Sequence, residues 1–371
     1  MSNIRTAVPG DADAVARLFC DVFRNGSSAD EDQLRAYLEK LYLHPEDNGG
    51  IGSLVHETSS GDISGFLGGY AAPMVFENRR LLAAICGSFM VKDPKAEPLT
   101  APRLMKAFLN GPQDLSLSET ASEVSHTMWT KLGGITLPDY SWTWHRSLRP
   151  TNYLLIVSAA RSNLLKAAFP VIKPVTNFLD SSLLKRNAHA GKSWLALGQP
   201  ENQSAELVAP IDHSTFIGLF EKCTDRFSPR PAFDKTQLLQ LLDDSKQKSK
   251  IGPMEVAKIN GKRNEPIGTL IYHKGHDRVL RVLQMLSLPK AESQVLEAVL
   301  NYANWSGAVA VTGRTQPNFI PEILGRRIFL SNHNATVVHS RDPEIVAAYI
   351  RGKGFANGLV GEYWNRLNGD I

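Results

Sequence analysis

The chain has 371 residues, 43% of them hydrophobic and 21% charged, with a formal net charge of +4. That length exceeds one ordinary core, so two domains are expected, and the composition is that of a globular chain and not a disordered one. The slight positive charge permits an anionic ligand but supplies no basic block of the kind that binds DNA; "KQKSK" at 246–250 follows Asp243 and Asp244 and reads as a solvated helix end.

In chain order, Asp11 is placed to cap a helix running to about Phe23, with Val15, Leu18, Phe19 and Val22 on one face. A second helix follows Asp30, where Leu34, Tyr37, Leu38, Leu41 and Tyr42 recur at helical spacing. "GSLVHET" and "DISGFLGGYAA" flank Ser60-Gly61, a hairpin signal, and "RRLLAAICGSFMV" reads as a buried central strand. Pro102 suits the first turn of a helix whose face is Leu104, Met105, Phe108 and Leu109. "DLSLSET" is a strand, Val124, Met128 and Leu132 mark a helix ended by Gly133-Gly134, and "YSWTWHRSL" is a strand again. The predicted order over 3–148 is β-α-α-β-β-β-α-β-α-β. Residues 151–203 read as a helical connector, broken at Pro170 and Pro174, that packs on a domain; a membrane-surface helix is the alternative.

The pattern then restarts. "DADAVARLF" (11–19) matches "DHSTFIGLF" (212–220), "DISGFLGGY" (62–70) matches "EPIGTLIYH" (265–273), and "PKAE" occurs at 94–97 and 289–292. "DLSLSET" (114–120) matches "GAVAVTG" (307–313) in type. A shared order at a near-constant offset of about 200 residues predicts a tandem repeat of one mixed α/β domain. The expected division is an N-terminal domain over 1–150, the connector over 151–203, and a C-terminal domain over 204–371.

The element order, opened by "IRTAVPGDADAVARLF" and carrying "MWTKLGG" at its fourth helix, resembles the GNAT (GCN5-related N-acetyltransferase) family. The resemblance implies an α/β (α+β) fold of two tandem GNAT-like domains, each a mixed, mostly antiparallel sheet flanked by helices. It implies transfer of an acyl group from acetyl-CoA or another acyl-CoA to an amine of a small molecule or peptide. It also implies an oxyanion donor on the fourth strand near Phe89, Met90 and Val91, and a pyrophosphate at the next helix start, held by Lys95, Thr100, Ala101 and Arg103.

The departures from that pattern are specific. The loop has no glycine before Gly111, and Pro98 and Pro102 each lack an N–H, so side-chain charge would replace backbone donors. The second loop, "LSLPKAESQVL", is too short for a phosphate cradle, so the C-terminal domain is expected to be degenerate. The family's helix-four tyrosine, an acid for the leaving thiolate, corresponds to Trp129, which transfers no proton. Glu119, at the end of the fifth strand, is the expected base, and His126 the second catalytic candidate. His145, on the sixth strand, stands beside His126 as a lone histidine, and Trp142 and Trp144 read as one strand face. "GLVGEYWNRL" reads as a tail sealing the second domain or, alternatively, lining a cleft.

The cysteines (Cys20, Cys86, Cys223) have no metal-type spacing, so no metal is expected; Cys20 and Cys223 read as core thiols, and the chain is expected to be cytoplasmic, without a leader or spanning segment. Two rivals stand beside the acyltransferase: a Fem-type transferase that takes an aminoacyl group from tRNA, and a non-catalytic binding protein built on a degenerate GNAT pair.

Overall fold

A computed structural model describes residues 3–24, 30–46, 49–159, 162–190, 207–326 and 328–367. The first elements are β1 (Asn3–Thr6), α1 (Ala12–Phe23), α2 (Glu31–Tyr42), β2 (Leu54–Glu57), β3 (Ile63–Phe76), β4 (Arg79–Val91), α3 (Thr100–Leu109), β5 (Leu115–Ala121), α4 (Glu123–Lys131), β6 (Ile135–Thr136), α5 (Pro138–Ser141) and β7 (Thr143–Ser147). Then come α6 (Pro150–Ala159), α7 (Asn163–Ala190), β8 (Val208–Pro210), α8 (His213–Thr224), β9 (Arg230–Pro231), α9 (Lys235–Lys246), β10 (Met254–Asn260), β11 (Pro266–Lys274) and β12 (Val279–Ser287). The chain continues through α10 (Glu292–Trp305), β13 (Ala310–Arg314), α11 (Ile320–Leu324), β14 (Phe329–Ser331), β15 (Ala335–Ser340) and α12 (Pro343–Ile350).

Two mixed sheets result. The first has the order β1-β2-β3-β4-β5-β15-β6, with β9 added to β3; the second has the order β14-β7-β13-β12-β11-β10-β8. Each is antiparallel except at one central pair, β4 with β5 in the first and β12 with β13 in the second. Read from β1 and from β8, the two sheets place strands of the same direction in the same order. Each takes its sixth strand from the other end of the chain: β15 pairs with β5 and β6, whereas β7 pairs with β13 and β14.

The compact units are accordingly built from separate stretches. One comprises Met1–Ser141, Phe227–Leu238 and His333–Ile371; the other comprises Trp142–Arg226 and Leu239–Asn332. These differ from a division at residues 150 and 204, because strand pairing and not chain order decides which sheet a segment joins. In the first unit α3 and α4 pack Leu104, Met105, Phe108 and Trp129 against Leu67, Ala84 and Cys86 of the sheet. In the second, α10 packs Val295, Leu296 and Val299 with Leu270, Leu280, Val311 and Trp144.

The expected breaks at Pro170 and Pro174 do not occur, and α7 runs through both. Side-chain bonds tie α7 to α6. Asp180 accepts the N–H groups of Thr151 (2.9 Å) and Asn152 (3.0 Å), and the Thr151 hydroxyl donates to the Thr176 carbonyl (2.8 Å). The α7 residues Leu164, Val171 and Phe178 are 84%, 78% and 72% exposed, and among the described residues α7 packs on α6. Asp11 does not cap α1 with its side chain; it takes two hydrogen bonds from Arg5 and one from the Val8 N–H. Those bonds hold its carboxyl below the usual carboxylate range.

Candidate active site

The parallel strands β4 and β5 are paired over only part of their length. They pair from Ala83 opposite Leu115 to Ile85 opposite Leu117, after which β4 continues to Val91 and β5 to Ala121 without pairing to each other. The gap opens into a cavity of about 570 Å³, lined by Cys86–Phe89, by Ser118 and Thr120, and by Ser122 and Ser125 at the start of α4. Phe19, Phe23 and Arg24 at the end of α1, Tyr42 from α2, and Glu362 and Tyr363 from the C-terminal stretch also line it.

A β-bulge shapes the β4 side. Phe66 lies opposite Met90 and Gly68 opposite Gly87, so Ser88 and Phe89 together face the single residue Leu67 and fall outside the paired register. Ser88 has φ +49°, a left-handed conformation that serine rarely adopts. Tyr42 holds the turn. Its hydroxyl lies 3.1 Å from Ser88 Oγ, and its ring and hydroxyl crowd the places that Cβ atoms on two glycines would take. A Cβ on Gly68 would come within 2.6 Å of the ring, and one on Gly87 within 2.7 Å of the hydroxyl. Burial pushes the Tyr42 phenol well above its ordinary value, so it acts at neutral pH as an O–H group.

Two glutamates tie the C-terminal stretch to β5. The Glu119 carboxylate accepts N–H groups from Gly358 (3.1 Å), Glu362 (2.8 Å) and Tyr363 (3.3 Å). Glu362 returns the arrangement, accepting the N–H of Glu119 (2.9 Å) and Thr120 (3.1 Å) and the hydroxyls of Ser118 (3.0 Å) and Thr120 (2.8 Å). Its carboxylate therefore stands against the unpaired edge of β5, inside the gap. Burial raises its pKa, and the four donors oppose that rise.

The residues expected from sequence fall into three groups. Phe89 lines the cleft, while Met90 and Val91 pair with β3 beside it. Glu119 is 2% exposed and points its carboxylate at the C-terminal stretch, which gives it the geometry of an anchor and not of a base facing a substrate. His126 bonds Thr136 Oγ1 at 2.6 Å, away from the cavity wall. His145 lies in the second unit, between Ser331 and Tyr153. Trp129 is fully buried against Phe108, and Trp144 is buried while Trp142, just before β7, is partly exposed. The tail expected to seal the second domain belongs to the first unit and lines its cleft.

The loop before α3 is the third group. Asp93 Oδ1 accepts the N–H groups of Lys95 and Ala96, both at 3.0 Å, and the Asp93 carbonyl accepts the Glu97 N–H at 3.0 Å. Glu97 Oε2 accepts the Ser64 hydroxyl (2.7 Å) and the Thr100 hydroxyl (3.2 Å). Buried His56 bonds Ser64 Oγ at 2.8 Å through Nδ1, which lies 3.5 Å from Glu97. Thr100 and Ala101 are buried, and Lys95 and Arg103 are exposed. A diphosphate needs converging N–H donors and positive charge. Here Asp93 takes two amides, Pro98 and Pro102 have none, and the Glu97 carboxylate stands at the start of α3. The loop does not fit the diphosphate of coenzyme A.

In the second unit β12 carries a matching bulge, with Ile271 opposite Gln284 and Tyr272 opposite Val282. Its loop spans only 288–291, with Lys290 at φ +69°, and Glu292 in the first turn of α10 pairs with Arg226. Among the described residues, no cluster of three or more His, Cys, Asp or Glu side chains is placed to hold a metal ion.

Sequence reasoning missed Tyr42 and Ser88 as cleft residues and reached Glu362 only through the alternative of a cleft-lining tail. Tyr42 lies on an apolar helical stripe and reads as core, a serine at positive φ leaves no sequence signal, and the partners of Glu362 lie more than 240 residues away.

No protein-family model matches the chain, and no curated protein sequence does. Solved structures match its fold. A GCN5-related N-acetyltransferase from Kribbella flavida is 13% identical with a TM-score of 0.56, over 93% of this chain and 72% of that one. A GCN5-related N-acetyltransferase from Anabaena variabilis is 12% identical with a TM-score of 0.56, over 92% and 74%. Eis1 from Mycobacterium abscessus is 12% identical with a TM-score of 0.52, over 94% and 76%.

Proposed function

From the GNAT fold that it shares with these structures, we propose that the chain is an acyltransferase, built from two copies of that fold, that moves an acyl group from a thioester to an amine in the cleft of its first unit. The observation that carries this reading is the divergence of β4 and β5 at the Ser88–Phe89 bulge. An extended thioester can lie along the open edge of β4, with its carbonyl against the bulge.

Attack by an amine turns the thioester carbonyl into a tetrahedral oxyanion, which needs donors already in place. The backbone at Ser88–Met90 supplies them in this reading, and Tyr42 fixes its conformation. The amine must reach the carbonyl as the neutral base. The hydroxyls of Ser118, Thr120, Ser122 and Ser125 give the cleft a neutral, polar wall that accepts hydrogen bonds from such an amine. The acceptor class is a small-molecule or peptide amine. The second unit, with its short loop, serves as support and not as a second catalytic site.

The test is release of free thiol from acetyl thioesters with a panel of primary amines. Wild type should release thiol only when an amine is present. Proline cannot adopt φ +49°, so Ser88→Pro should lower the rate about 100-fold or more, the scale of losing an oxyanion donor. Ser88→Gly tolerates positive φ and should keep most of the rate. No amine-dependent release from wild type with any thioester would contradict the proposal.

A further inference from the structure

Both "PKAE" segments place a glutamate at the start of the helix that follows a central strand. Glu97 stands before α3 among Ser64, Thr100 and His56, and Glu292 stands in the first turn of α10 against Arg226. A helix start favours negative charge. In each unit a carboxylate already stands beside it, although neither bonds a helix amide, and in the first unit Asp93 accepts the two loop amides at 95 and 96.

We infer that the first unit reads its donor through the thioester arm and not through a nucleotide diphosphate, and that Asp93 and Glu97 are the residues that set this specificity. The inference rests on the acyl-transfer reading for the identity of the arm, but its loop argument stands separately. A diphosphate at the start of α3 would lie beside two carboxylates and find the amides of residues 95 and 96 already bonded. Lys95 and Arg103 can offset that charge but cannot return those amides. The thioester arm needs none of these donors, because it lies at the β4 edge. The favoured donor is therefore a pantetheine-type thioester whose phosphates, where present, sit away from this loop.

The experiment compares binding of coenzyme A, pantetheine and adenosine 3′-phosphate 5′-diphosphate to the full chain by calorimetry. Wild type should bind coenzyme A and pantetheine with Kd values within about threefold of each other and give no saturable signal with the nucleotide diphosphate. Asp93→Ala with Glu97→Gln frees two amides and removes two charges. That variant should bind coenzyme A at least about tenfold more tightly than wild type does, with pantetheine unchanged. Glu97→Gln alone preserves both hydroxyl contacts, keeps the loop folded, and should give a smaller gain of the same sign. Wild type that binds coenzyme A about 30-fold or more tightly than pantetheine would overturn the inference, as would variants that gain nothing. If wild type binds neither thiol, the acyl-transfer reading fails; gain or no gain of binding of the nucleotide diphosphate in the double variant then decides the loop argument.

Discussion

Glu119 and Glu362 show how a carboxylate in a catalytic-looking position can be structural. Glu119 ends a strand at the mouth of a cleft, which is why the sequence points to a base. Its acceptor oxygens are instead turned to three N–H groups of residues 358–363, which no local pattern reveals. Replacing it with alanine leaves those buried donors unpaired, and stability should fall by about 3 kcal/mol or more in denaturant unfolding. Glu362 gives a pH signature. A carboxyl whose pKa is raised on folding contributes fully below its unfolded value of 4.5 and loses that contribution as pH rises through the folded value. Glu362→Gln keeps an acceptor for the donors at 118–120 and turns its amide toward Thr120 Oγ1. The variant's Tm relative to wild type should therefore improve from about pH 5 to about pH 8, and a difference that is flat or falls with pH would contradict the burial argument.

Among the elements, β4 was legible from its run of apolar residues, and the strand occupies Arg79–Val91 as that run predicts. The bulge was not legible, because it is imposed by Tyr42 over Gly68 and Gly87 and not by a turn residue at position 88. Gly87→Ala would drive a Cβ to 2.7 Å from the Tyr42 hydroxyl, so it should cost about 1–3 kcal/mol of stability and displace the bulge. The Pro170 and Pro174 breaks misled for the opposite reason. Proline is a strong local signal, yet α7 continues through both, and the bonds of Thr151, Asn152 and Thr176 around Asp180 tie its later part to α6. Asp180→Ala uncaps α6 and should cost about 1–2 kcal/mol, read as a loss of helical signal on mild heating.

For the whole molecule, alternation of elements and two similar element orders were visible in the sequence, because both follow from local periodicity. The exchange of sixth strands was not. "YSWTWHRSL" looks like the closing strand of the segment before it, yet β7 pairs with β13, and the place beside β5 goes to β15. A polypeptide ending at residue 150 would lack β15 and the 358–363 stretch that satisfies Glu119, and should not fold alone by circular dichroism. The central claim is that the gap between β4 and β5 holds the thioester. It is tested most directly by a crystal structure of the chain saturated with a non-reactive ketone analogue of acetyl-pantetheine. The account places the ketone oxygen against the Ser88–Phe89 bulge, with the arm along β4 and clear of Asp93 and Glu97. An analogue bound at another site, or with its arm ending on the 93–97 loop, would contradict it.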